Sequence, residues 1–132
     1  AERPAVERAE VVTRLRALNA DLAAAGRATP ADSPQLFDLD NAFHRAYMEA
    51  GAGARLLALH DAIKPQAERY ARLYVNYLVV EISTSVAEHE VINQCLEAGD
   101  PEATRRAVEN NWRNAAKRLS RVIGTHGERG SW

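Results

Sequence analysis

Apolar residues recur at intervals of three and four along most of the chain, the spacing of helices that bury one face. From Val6 to Ala25, the residues Val11, Leu15, Leu18 and Leu22 make one stripe. Gly26 is placed to stop that helix, and Arg27 to Ser33 reads as a polar connection. Ser33-Pro34 has the form of a helix start, with the serine as cap and the proline in the first turn. This second helix runs through Leu36, Phe37, Asp40, Phe43, His44 and Tyr47 to about Ala50, and Gly51-Ala52-Gly53 breaks it. A long third helix follows from about Ala54 to Val79, with Leu56, Leu59, Ile63, Ala67, Tyr70, Tyr74 and Tyr77 along one side. Pro65 inside it is expected to bend or divide it. Ser85-Val86-Ala87-Glu88 has the Ser-x-x-Glu form of a capping box, and the helix it would start ends at Gly99. Asp100-Pro101 restarts the pattern, and Ala103, Ala107, Val108, Asn111, Ala115 and Leu119 carry it towards Gly124. Residues from about 124 to 132 read as a flexible tail. The fold expected is all-α, an antiparallel bundle of five to six helices joined by short loops.

A chain of 132 residues is one domain in size and long enough for a real core, so 1–132 reads as a single unit. Hydrophobic residues at 46% and charged residues at 27% describe a globular protein rather than a disordered one. The net charge of -1 supplies no basic excess, which argues against direct binding of nucleic acid. Cys95 is the only cysteine, so no intrachain disulfide can form, which suits a cytoplasmic location. No apolar run approaches the ~20 residues that span a bilayer. The opening AERPAVERAE has neither a signal-peptide core nor an initiator Met, which suggests a piece cut from a longer protein.

The candidate chemistry centres on Asp40-Asn41-Ala42-Phe43-His44. Asp40 and His44 are four residues apart, so a helix sets both on one face within reach of a single ion. His89 lies near the start of another helix. One carboxylate and two imidazoles suit zinc, nickel or manganese, and a bundle can gather ligands from facing helices. An Asp–His hydrogen bond explains the same pair without a metal, so both readings stand.

In order along the chain, Asp40-x-x-Phe43-His44, Leu56, Glu88-His89, Ala98-Gly99-Asp100 and Ala103 or Ala107 resemble the FadR C-terminal (FCD) domain of GntR-type transcriptional regulators. The resemblance covers nearly the whole chain, although Gly53 stands where the family usually has Asn. It implies an effector-binding and dimerisation domain, partnered in the full regulator by an N-terminal winged helix-turn-helix that this chain lacks. It also implies a divalent metal (zinc, nickel or manganese) held by Asp40, His44 and His89. The family's third histidine falls at Asn111 here. A neutral amide oxygen is a poorer ligand for these metals. The site is then weakened, completed by water or effector, or without metal.

The resemblance further implies a small organic acid or related metabolite as effector, bound in a cavity of the bundle beside the metal. A carboxylate needs a positive partner, either the metal or an arginine fork. Arg69, Tyr70, Tyr74 and His60 on the long helix are the candidate effector residues, each with an alternative as core or solvated surface. The expected function is ligand sensing by a homodimer that contacts DNA only through its missing N-terminal domain, with no membrane partner. One alternative is a metal-dependent helical-bundle enzyme using Glu88 as base; another is a structural dimerisation bundle. The sequence holds no Gly-rich phosphate loop, no partnered Ser or Cys nucleophile and no HExxH, so a binding module is preferred to an enzyme.

Overall fold

A computed structural model describes residues 5–127. The helices are α1 (Ala5–Gly26), α2 (Ser33–Gly51), α3 (Ala54–Leu78), α4 (Ile82–Ala98) and α5 (Pro101–His126), with a 3-10 turn over Val79–Glu81 between α3 and α4. No non-helical residue separates that turn from its neighbours, so the described residues form four unbroken helical stretches. The described residues contain no strand.

The helix ends show which local signals act. Asp32, not Ser33, caps α2: its carboxylate accepts from the Gln35 amide at 3.0 Å, and Pro34 occupies the first turn. Asp100 caps α5 in the same way, accepting from the Ala103 amide at 2.9 Å. Gly99 ends α4 at φ 70°, a left-handed conformation that glycine adopts without Cβ strain. Gly26 serves a close approach, since a Cβ there would stand 2.8 Å from Cγ2 of Ile82.

Three further expectations are corrected or narrowed. Ser85-x-x-Glu88 is not a capping box. The 3-10 turn carries helical rotation directly into α4, Ser85 lies inside the helix, and Glu88 turns to α5 instead. Of the two outcomes expected at Pro65, bending or division, division does not occur: it lies within a continuous α3, because losing one backbone bond costs less than nucleating a new helix. Gly124 does not end α5. The Tyr77 and His126 rings stack at 3.7 Å and the Tyr74 hydroxyl donates to the Gly127 carbonyl at 2.8 Å, anchoring the last turn on α3. Of the expected flexible tail, residues 128–132 lie outside the described residues.

Cross-helix pairs give the register. Arg16 binds Glu97 while Asn19 reaches Val86, so α4 runs antiparallel to α1. Glu88 binds Arg118 and Glu81 binds Arg121, so α5 returns antiparallel to α4. Arg45 pairs with Asp61 and Asp38 with Arg72, giving the same relation of α2 to α3. Leu15, Phe43, Ala46 and Ile92 form the central core, with Val11, Leu18, Tyr47, Leu96, Ala107 and Val108 around it. The core therefore draws on α1, α2, α4 and α5. On α3 only Tyr74 is buried, while Leu56, Leu59 and Ile63 remain more than half exposed.

Candidate metal centre

The first-turn cap of α2 and the core position of Phe43 together fix which way the helix turns its Asp40–His44 edge. Nε2 of His44 lies 3.5 Å from Oδ2 of Asp40. On the facing helix α4, Nε2 of His89 lies 3.4 Å from Oδ1 of the same carboxylate. The three ligating atoms fall within 4.8 Å of one another. An ion held tetrahedrally with bonds of ~2.0–2.1 Å has ligand–ligand edges of roughly 3.3–3.4 Å; the two histidine–Asp40 distances match this, and the remaining spacing, within 4.8 Å, would close around an ion.

Aromatic rings wall the cluster. Phe43 stacks on His89 at 3.9 Å and 7°, and His44 meets His89 edge-on at 5.1 Å. Trp112 of α5 lies 4.8 Å from His44, and its indole N–H donates to the Tyr47 hydroxyl at 2.7 Å. That hydroxyl is in turn 2.9 Å from Nδ1 of His44, so Tyr47 and Trp112 orient the ring from behind. Burial pushes the Tyr47 phenol up, which keeps it protonated.

Burial lowers the His89 imidazole to about 4, against the pull of Asp40, so the ring is neutral at neutral pH and able to ligate. Burial raises the Asp40 carboxyl, but the hydrogen bond from His44 together with the surrounding basic groups His44, His89 and Arg118 holds it below its ordinary range. The cluster thus presents a carboxylate and two imidazoles. Among the described residues, Nε2 of His89 and Oδ1 of Asn111 are both buried without a hydrogen-bond partner. A buried polar atom left bare costs free energy, and a cation at the cluster would satisfy Nε2.

A sequence model of the FCD domain matches residues 3–114, well over half of the chain. The chain belongs to the FCD domain family. An FCD domain is the C-terminal regulatory part of a GntR-type transcriptional regulator, so this is a regulatory domain. Comparison with curated proteins and with solved structures gives no match.

In this FCD domain Asn111 stands where the family resemblance expects a further histidine. Asn111 is buried and gives its amide N–H to Oε2 of Glu88 at 2.7 Å. Asn114 and the guanidinium of Arg118 bind the same carboxylate, at 2.9 Å and 3.0 Å. Glu88 is thereby the centre of a polar network between α4 and α5, bordering a groove of about 560 Å³ that Lys117, Arg118 and Arg121 also line. Burial pushes the Glu88 carboxyl up, but hydrogen bonds from Arg118, Asn111 and Asn114 bring it below its ordinary range. A carboxylate held by these donors is poorly suited to act as a general base.

The residues proposed for the effector all lie on α3 and contribute none of the three ligand atoms. Arg69 is exposed, Tyr70 and His60 are half-buried, and His60 leans on Asp61 at 3.4 Å. Tyr74 is fully buried and its hydroxyl is turned to Gly127. Sequence reasoning missed Asn19, the Tyr47–Trp112 pair and Arg118. The only available signal was a polar residue in an apolar stripe, which marks Asn19 on α1.

Proposed function

We propose that this domain senses a small organic acid through a divalent cation held by Asp40, His44 and His89. The observation that carries this reading is the convergence of three ligand atoms within 4.8 Å, one of them a buried imidazole nitrogen without a hydrogen-bond partner. The cation would be zinc, nickel or manganese, which imidazole and carboxylate together suit. When bound, it supplies a positive charge that a carboxylate ligand can meet. Arg69, Tyr70 and His60 would bound the ligand from α3, while Tyr74 would contribute its ring. Ligand binding would then shift the relative placement of two subunits, and through it the DNA-binding domains of the full regulator. The occupied role of Glu88 in the α4–α5 network supports a binding module over hydrolytic chemistry.

Elemental analysis of purified protein tests this reading. Near-stoichiometric metal is expected in the wild type, lost in Asp40→Ala and in His89→Ala. A metal-free wild type that stays metal-free after reconstitution would overturn it. Light scattering during size exclusion tests the homodimer, with a monomer at all concentrations as the contrary result.

Position 111 gives a second expected outcome. In Asn111→His the new imidazole could give its other N–H to Glu88, which already accepts from Asn111 at 2.7 Å. Carboxylates that accept the free ring N–H commonly orient ligating histidines in this way. Zinc affinity is expected to rise at least ~10-fold, read by competition with a chromogenic chelator. Unchanged affinity would show that position 111 does not reach the ion.

A further inference from the structure

Asn19 sits where α1 should be aliphatic. The buried positions of that helix are Val12, Leu15, Asn19 and Leu22, and Asn19 is only 6% exposed. An amide in such a stripe is costly unless both its ends are bonded. Here Nδ2 donates to the Val86 carbonyl at 3.0 Å, and Oδ1 lies 3.2 Å from Nδ1 of His89.

These two contacts determine each other. A backbone carbonyl only accepts, so the amide nitrogen must face Val86; the reverse orientation would set two oxygens against each other. The amide oxygen therefore faces His89, and because it too only accepts, the proton of the neutral ring must be on Nδ1. Nε2 is then bare. That is the atom 3.4 Å from Asp40 Oδ1 that has no hydrogen-bond partner. Two lone pairs facing each other across this gap repel unless positive charge lies between them.

We infer that Asn19 is a positioning residue of the metal centre, holding His89 as its Nδ1–H tautomer so that the Nε2 lone pair points to the place shared with Asp40 and His44. The inference rests on the metal reading of those three residues. It adds a helix to the site: α2 and α4 supply the ligands, and α1 sets the protonation of one of them. Phe43 stacks on the ring and fixes its plane, whereas Asn19 fixes which nitrogen is free. Groups that orient ligating histidines in this way commonly govern affinity by 10–100-fold.

The test compares Asn19→Leu, which keeps the volume but removes the acceptor, with Asn19→Asp, which keeps an oxygen facing Nδ1. Zinc affinity is measured by competition, and the His89 tautomer by long-range proton–nitrogen correlation spectra of ion-free protein at neutral pH. The expected result is a roughly 10- to 100-fold weaker affinity and loss of the Nδ1–H tautomer in Asn19→Leu. Asn19→Asp should retain the tautomer, with affinity reduced because its second oxygen replaces the donor to the Val86 carbonyl. Wild-type affinity with an unchanged tautomer in Asn19→Leu would overturn the inference. So would an Asn19→Asp variant that loses the Nδ1–H tautomer, because the facing oxygen would then not set the proton. If Asn19→Leu does not fold, the wild-type spectrum decides, and an Nδ1 without a proton overturns the inference. A wild type that binds no zinc refutes the metal reading itself, and the ion-free spectra still decide what Asn19 does to the ring.

Discussion

Glu88→Ala is expected to destabilise the domain by about 3–5 kcal/mol, the usual cost of stranding one partner of a buried ion pair. The side chains of Glu88 and Arg118 are 12% and 10% exposed, so Arg118 would lose its main counter-charge in a place water reaches poorly. The same truncation leaves the Asn111 and Asn114 amides without their acceptor. Glu81, 4.0 Å from Nε of Arg118, is a partial substitute, which favours the lower end of the range. The groove beside the network acts in the same direction by admitting water to one side. Urea denaturation of Glu88→Ala, Arg118→Leu and the double variant separates the pair from its surroundings. Because most of the single loss reflects an uncompensated charge, the double variant should recover a large part of it. A single loss below about 1 kcal/mol would place this pair with exposed salt bridges, which contribute that little.

The fold was largely legible because its signals are local. The stripe of α1, the Asp100-Pro101 start of α5 and the Gly99 stop of α4 each depend on residues a few positions apart. The failures have the same origin. Ser85-x-x-Glu88 fits a capping box equally well whether the chain enters from a loop or from a helix, and only the tertiary path shows that it enters from a helix. Gly124 has the composition of a stop, yet contacts of Tyr74 and Tyr77 made from α3 carry α5 past it. At the site, Asp40 and His44 could be paired from helical spacing alone. His89 could be offered beside them only as a residue type on another helix, and the family resemblance supported it, since nothing local says which faces of α2 and α4 meet. Asn19, Tyr47 and Trp112 act across helix contacts separated by up to 70 residues in sequence, which periodicity cannot detect. Asn111 was found by its place in the family pattern, but its bond to Glu88 required the α4–α5 register.

Lowering the pH of the ion-free protein from 7 to 4 is expected to cost about 3 kcal/mol of stability through His89 alone. Burial brings this imidazole to about 4 in the folded chain, whereas an unfolded histidine protonates near 6.5. Between those values the unfolded state takes up the proton and the folded state does not, so stability falls as the pH falls. Above about 6.5 both states are neutral and the contribution is complete; below about 4 both are protonated and the loss levels off. Asp40 does not mask the upper part of this window. Its folded pKa is depressed, so its own contribution is present above the ordinary carboxylate range and is lost only at lower pH. Urea midpoints of wild type and His89→Gln at several pH values check the expectation, because other titrating groups largely cancel in the difference. The variant's stability should fall less steeply between pH 6.5 and 4, and parallel curves would exclude His89 as the source. Saturating zinc should steepen the wild-type curve further. The ion stabilises only the folded state, and its ligands must be unprotonated to hold it, so acid removes the binding contribution together with the neutral ring.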